Sequence, residues 1–189
     1  MVGAGAGTRR HQPPGPAIMS RLTDTTGARV RLWPPALFAV PFALAALLHR
    51  RYPWPARAEG TDRRQGRLRR VAGAALIGSG AVLMGRAFSV MNRQGTTVIP
   101  WAKVEHLVAD GPFARVRNPI YAADLLVYLG GTILLRSGWP LLALPGVLHL
   151  LRRQVIAPEE TYLRQEFGSQ YERYLQNVPR LLPRFTGRP

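Results

Sequence analysis

The residues that could do chemistry in this chain fall into two clusters. One is a basic loop centred on an Asn-Pro pair: Glu105-His106-Leu107-Val108, then Gly111-Pro112-Phe113, then Arg117-Asn118-Pro119-Ile120-Tyr121. The other is a carboxylate pair, Glu159-Glu160, followed by an aromatic helix that closes on Val178-Pro179-Arg180. Carboxylates suit an ammonium or another cation, while Arg117 or Arg180 suits a carboxylate through a charge-assisted pair. Phe113 and Tyr121 add flat faces for an aromatic or thioether group. Two apolar stretches separate the clusters, so the polar groups gather where a chain would leave a membrane. That layout points to chemistry at a bilayer surface rather than to a pore or a soluble enzyme.

Composition bounds the elements that must position these groups. The chain has 189 residues, a net charge of +16 and 47% apolar residues. Mean hydropathy is near zero, yet the apolar residues sit in four blocks with the charges crowded between them. This is the pattern of a small multi-span membrane protein. All but one of the 26 basic residues are Arg. They flank the apolar blocks, which suits anionic headgroups and topology control better than nucleic acid. No Cys is present, and the four His are scattered without ligand spacing. Disulfides and thiolate chemistry are excluded, and no metal site is expected.

Residues 1–30 are rich in Gly, Pro, Thr and Arg without hydrophobic periodicity, and are expected to be disordered. Residues 31–189 are read as the membrane domain, with spans at about Leu32 to Leu48, Val71 to Met91, Pro119 to Leu135 and Trp139 to Ile156. Pro34, Pro35 and Pro41 should bend or delay the first span. An Arg-rich loop is expected from Arg50 to Arg70, and Gly73, Gly78, Gly80 and Gly85 should let the second span pack closely. The short Ser137-Gly138 link predicts an antiparallel hairpin of the last two spans. Pro158 fits the first turn of a new helix. Beyond it Leu163, Phe167, Tyr171 and Tyr174 recur at helical spacing, giving an amphipathic C-terminal helix. The expected fold is an all-α integral membrane protein with about four transmembrane helices. Four crossings put both termini and the Asn-Pro loop on one side, taken as cytosolic. The Arg50–Arg70 segment would then be translocated, against the positive-inside rule.

In order and spacing, the loop motifs, Glu159-Glu160, Phe167-Gly168, Tyr171, Tyr174 and Val178-Pro179-Arg180 resemble the isoprenylcysteine carboxyl methyltransferase and phospholipid methyltransferase family. The resemblance covers about residues 75–183. It implies a small integral membrane enzyme using S-adenosyl-L-methionine, with the cofactor core at about residues 92–183. The cofactor would lie in a cytosol-facing pocket made by the last two spans and the C-terminal helix. Carried over by position, that pocket takes Glu105, His106, Leu107, Val108, Phe113, Asn118, Pro119, Ile120, Tyr121 and Glu160, with Arg117, Glu159 and Arg180 as charged partners. A lipid-like or apolar acceptor would arrive from the bilayer of a cytoplasmic membrane of bacterial type. Three positions depart from the family. Asn118 stands where His is usual, which removes a proton-transfer role but keeps hydrogen bonding. Ala123 replaces Gly. Ile156 replaces an Arg that helps hold a prenylcysteine carboxylate, with Arg153 one turn back as a partial substitute. Prenylcysteine, a phospholipid amine and a quinone-like lipid all stay open as acceptors.

Asp124 is the anomaly that needs no family. A carboxylate inside a spanning helix is a functional hypothesis by default. It could orient a polar acceptor or act as a base, or it could be paired with Arg86 or protonated. Asp124 and Arg153 are therefore the catalytic candidates. Two other functions compete: a sterol-type membrane reductase using NADPH, whose C-terminal architecture looks similar, and a basic lipid-binding module with no cofactor. No nucleic-acid or protein partner is indicated.

Overall fold

The computed structural model describes residues 32–54, 62–96, 104 and 106–183. The N-terminal segment expected to be disordered, and Glu105, lie outside the described residues. Within them the chain is helical, without strands. Five α-helices follow in order: α1 (Pro34–Arg51), α2 (Arg63–Arg93), α3 (Pro119–Leu135), α4 (Trp139–Leu150) and α5 (Ala157–Asn177). A short 3-10 helix, Gly111–Ala114, precedes α3, and a π-helical segment, Leu151–Ile156, joins α4 to α5.

Prolines set several of these boundaries. Pro34 and Pro35 open α1, Pro119 opens α3 and Pro140 lies in the first turn of α4, where a missing N–H costs nothing. Pro41 is accommodated inside α1. The Arg-rich segment is not all loop: α2 begins at Arg63, eight residues before the expected span. The Asp62 side chain accepts a hydrogen bond from Arg64 N at 3.2 Å, capping the new N-terminus, and Arg is a good helix former.

The chain reaches α5 without leaving helical geometry, and Pro158 stands in the first turn of that helix, as expected. Its lost N–H and its ring crowd the preceding turn, and the backbone answers by widening to π geometry over Leu151–Ile156 while staying helical through Ala157. The break comes later, at Gly168, with φ 49° and ψ −124°, a left-handed conformation that favours glycine. The aromatic stripe expected on one straight helix is therefore bent between Phe167 and Tyr171.

Helix α3 packs chiefly along α2, and α4 chiefly on α1. The tight link at Ser137-Gly138 joins two arms that hardly touch, so the expected hairpin is adjacent in sequence but not in packing. Glycine explains the first pairing. A Cβ on Gly130 would stand 2.6 Å from Gly73 O, and one on Gly80 would stand 2.8 Å from Ala123 O. Gly78 and Gly85 face open space, so only half of the expected glycine set works. The α3–α4 turn is pinned instead to the end of α1: Gly138 N donates to Trp54 O (2.7 Å), and Trp139 Nε1 donates to Tyr52 O (2.8 Å). The core lies where α1, α3, α4 and the π turn meet, around Leu37, Phe38, Tyr128, Val147, Leu151, Val155 and Ile156. Phe38 and Phe42 meet Tyr128 edge-on at 6.1 and 5.3 Å.

By length and hydropathy, α2 alone among the described helices is long and apolar enough to cross a membrane, and α3 is a shorter apolar helix.

Candidate functional site

The Asn-Pro loop and the C-terminal end of the chain are stitched together by backbone hydrogen bonds. Arg117 N donates to Pro179 O (2.8 Å) and Asn118 N donates to Arg180 O (3.0 Å). Asn118 Nδ2 donates to the same Arg180 oxygen at 3.2 Å. Val178-Pro179-Arg180 thus runs as a strap beside the loop, and Tyr174 Oη fastens the 3-10 helix by donating to Phe113 O at 2.7 Å.

This closure builds a charged knot. Arg180 grips Glu160 with two hydrogen bonds, Nε to Oε1 at 2.9 Å and Nη2 to Oε2 at 2.6 Å. Arg117 Nη1 forms an ion pair with Glu160 Oε1 at 3.1 Å. Glu160 is 5% exposed, and burial alone would raise its pKa. The hydrogen bonds and charges of Arg180 and Arg117 outweigh that and hold it below the usual carboxylate range. Its neighbour is different. Glu159 accepts a hydrogen bond from Tyr121 Oη at 2.6 Å and has no guanidinium partner among the described residues. Burial pushes its pKa up to about 7, opposed by the Tyr121 hydrogen bond and reinforced by Glu160.

A cavity of about 150 Å³ opens beside this knot. Of the thirteen residues expected at a cofactor site, eleven line it: His106, Leu107, Val108, Phe113, Arg117, Asn118, Pro119, Ile120, Tyr121, Glu159 and Glu160. Arg180 reaches it only through Glu160, and Glu105 is outside the described residues. Asn118 and Glu160 therefore share one pocket, although 42 positions separate them in sequence.

Five further lining residues were not among those expected as ligand groups: Met91, Thr96, Val104, Tyr162 and Leu163. Tyr162 and Leu163 fall three and four residues after Glu159, the spacing that shares a helix face, so that signal was present. Tyr171 and Tyr174, expected only to pack or sit at an interface, also line the cavity. Burial raises both phenols, Tyr171 to about 12, so both stay protonated as neutral hydrogen-bonding groups.

The two catalytic candidates lie elsewhere. Asp124 lines neither this cavity nor a second groove between α2 and α3 that Arg86 and Leu125 help to line. It stands three residues beyond Tyr121, on a neighbouring part of the α3 surface, and makes no ion pair with Arg86 among the described residues. Arg153 is exposed on the π turn and lines neither cavity. The substitute for the missing Arg is therefore absent from the pocket, and Ile156 is packed in the core. Among the described residues no group of three His, Asp or Glu could hold a metal ion.

The donors present suit a ligand that carries both charge signs and an aromatic ring. Among the described residues buried Arg117 Nε has no hydrogen-bond partner, and neither has buried Thr96 Oγ1; such orphans call for one. Because Glu160 is already matched by two guanidiniums, Glu159 is the carboxylate left to offset a cation. Phe113, Tyr121, Tyr171 and Tyr174 supply ring faces. The cavity is smaller than the ~300–1,000 Å³ usual for small-molecule sites. Thr96 and Val104, the two ends of a segment outside the described residues, form part of its wall.

Among the described residues the chain is all-helical, with a charged, aromatic-lined pocket beside an apolar core. The phospholipid methyltransferase family matches residues 68–170, more than half of the chain, and the chain belongs to that family. It is 32% identical over 113 residues to protein-S-isoprenylcysteine O-methyltransferase B of Arabidopsis thaliana, covering 59% of this chain and 57% of that protein. It is 39% identical over 77 residues to the protein-S-isoprenylcysteine O-methyltransferase of Schizosaccharomyces pombe, covering 41% and 33%. A probable enzyme of the same name from Oryza sativa subsp. indica is 31% identical over 102 residues, covering 54% and 51%. The chain spans about half the length of these curated relatives, or less. They are eukaryotic, and nothing in them points to a bacterial membrane. No solved structure matches.

Proposed function

We propose that the chain is a membrane methyltransferase that takes its methyl group from S-adenosyl-L-methionine and passes it to an apolar or lipid-like acceptor at the cytosolic membrane face. The observation that carries this reading is the pocket where the Asn-Pro loop, the Val178–Arg180 strap and the Glu159-Glu160 pair meet, in a chain of this family.

When bound, adenosylmethionine supplies an electrophilic methyl on a sulfonium. Glu159 would face the ammonium or sulfonium, and Arg117 would meet the carboxylate through its unused Nε–H. Phe113 and Tyr121 would hold the ring or the thioether. The strap keeps these groups in register, so that alignment does most of the work of an in-line transfer. A cavity of about 150 Å³ must widen first.

Several features support membrane residence over a soluble fold. The apolar α2 is mostly exposed, as are Val40, Leu44 and Leu47 along α1 and Leu141, Leu142 and Leu150 along α4. Apolar faces turned outward suit lipid. We read α1, α2, α3 and the α4–π segment as four crossings. The names of the relatives favour a prenylated thioether carboxylate as acceptor; Ile156 and the exposed Arg153 leave that carboxylate without the guanidinium it would need.

Calorimetry in nanodiscs tests the reading. Adenosylmethionine should bind, with Glu160→Gln and Asn118→Ala at least about tenfold weaker, a loss of ~1.4 kcal/mol. Stabilisation by NADPH and not by adenosylmethionine would move the assignment to a reductase, and binding of neither would leave a lipid module.

A further inference from the structure

A second and larger groove, of about 780 Å³, lies on the other side of the Asn-Pro loop and shares no lining residue with the pocket above. From this groove we infer that the protein holds one anionic phospholipid, its phosphate gripped by Arg86, Arg93 and Arg115 and one acyl chain laid between α2 and α3.

The placement of the three cations is the first argument. Arg86 and Arg93 are seven residues apart on α2, hence on one face and about 10 Å apart along the axis. Arg115 reaches the same groove from the loop after the 3-10 helix, and all three line it. Each is exposed, and none forms an ion pair or hydrogen bond among the described residues. No Asp or Glu lines the groove. Asp110, which directly precedes the 3-10 helix, accepts a hydrogen bond from Gln94 Nε2 at 2.8 Å.

The rest of the wall is apolar. Leu83 and Val90 alternate with the arginines along α2, and Leu125, Leu126 and Leu129 face them from α3. Leu181, Leu182 and Pro183 close one end. Unpaired guanidiniums set among leucine and valine, in a groove that no acid lines, suit an amphiphile, and a free phosphate would use only the charges. Arg matches phosphate through paired N–H donors. The size falls within the range of small-molecule sites. In the membrane reading, the loop and the C-terminal end of α2 sit at headgroup depth, with Arg86 reaching up from below. The site does not depend on methyl transfer; it rests on the chain lying in a bilayer.

The full chain in a zwitterionic detergent, titrated with dioleoylphosphatidylglycerol and followed by native mass spectrometry and thermal melts, tests this. One phosphatidylglycerol per chain should be retained, with a rise in melting temperature that high salt reduces. Dioleoylphosphatidylcholine and inorganic phosphate should do neither. In the triple variant Arg86→Gln, Arg93→Gln, Arg115→Gln, affinity should fall roughly a hundredfold. Ser89→Trp, which fills the groove and leaves the charges, should also abolish retention. Lipid-free melts of both variants report folding independently. Equal retention by wild type and triple variant overturns the site, as does equal stabilisation by phosphatidylcholine or by phosphate alone.

Discussion

The two sides of the Asn-Pro loop use the same residue type in opposite ways. On one side Arg117 and Arg180 are drawn onto a single carboxylate, Glu160, with side-chain exposures of 12% and 34%. On the other, Arg86, Arg93 and Arg115 stand exposed with no partner among the described residues. The difference is what the arginines are for. A paired, buried guanidinium fixes the chain and shapes a small polar cavity. An unpaired one in an apolar groove keeps its charge for an external anion. An acid supplied on one side only, by the turn at Glu159-Glu160, separates the two roles.

The largest expected effect attacks the paired side. Glu160→Gln removes the acid that two guanidiniums share and leaves Arg117 buried and unmatched among the described residues. Losing one partner of a buried pair costs about 3–5 kcal/mol, and a thermal melt in detergent should show a collapse that Arg86→Gln does not. Equal melting of the two variants would erase the distinction drawn between the arginines. Next comes the packing that keeps the sides apart. Gly130→Leu places a side chain against the Gly73 carbonyl, which cannot move aside, and overpacking of this kind costs about 1–3 kcal/mol. Gly78→Ala, facing open space, should be neutral or stabilising by up to about 1 kcal/mol.

A smaller, pH-dependent effect sharpens the contrast between the adjacent acids. Glu159 has a folded pKa raised from 4.5 to about 7. The stability it contributes is fully present below about 4.5 and is lost as pH rises through about 7. Cofactor affinity should move the other way, strengthening as Glu159 ionises. Glu159→Gln should flatten both profiles. Tyr121→Phe removes a hydrogen bond that lowers the Glu159 pKa, and should shift the affinity profile to higher pH. A profile unmoved by either change would take Glu159 out of the site. Smallest of all, Asp124→Asn should leave adenosylmethionine binding unchanged, because Asp124 lines no part of the pocket. Any effect should be confined to turnover of the acceptor.

Much of the scaffold could be read without coordinates. The third span, Pro119 to Leu135, coincides with α3, since a proline that needs no N–H marks its start and a continuous apolar run its length. Eleven of the pocket residues were legible because they fall within or beside the motifs that carry the family resemblance. Less legible were features that arise when distant segments meet. Tyr128 Oη donates to Pro140 O across the α3–α4 turn, and that turn is clamped by Trp54, 84 positions before Gly138, farther than any local pattern reaches.

The sequence by itself determined the helical class, the outward-facing apolar blocks and the identity of the polar groups, because hydropathy, prolines and capping residues act over a turn or two. Tertiary structure alone decided which glutamate is neutralised and which stays available, and which arginines are paired. It also decided that the hairpin arms turn to different neighbours. Those outcomes depend on distances across the fold, where a few ångströms between a guanidinium and a carboxylate decide the charge state of both.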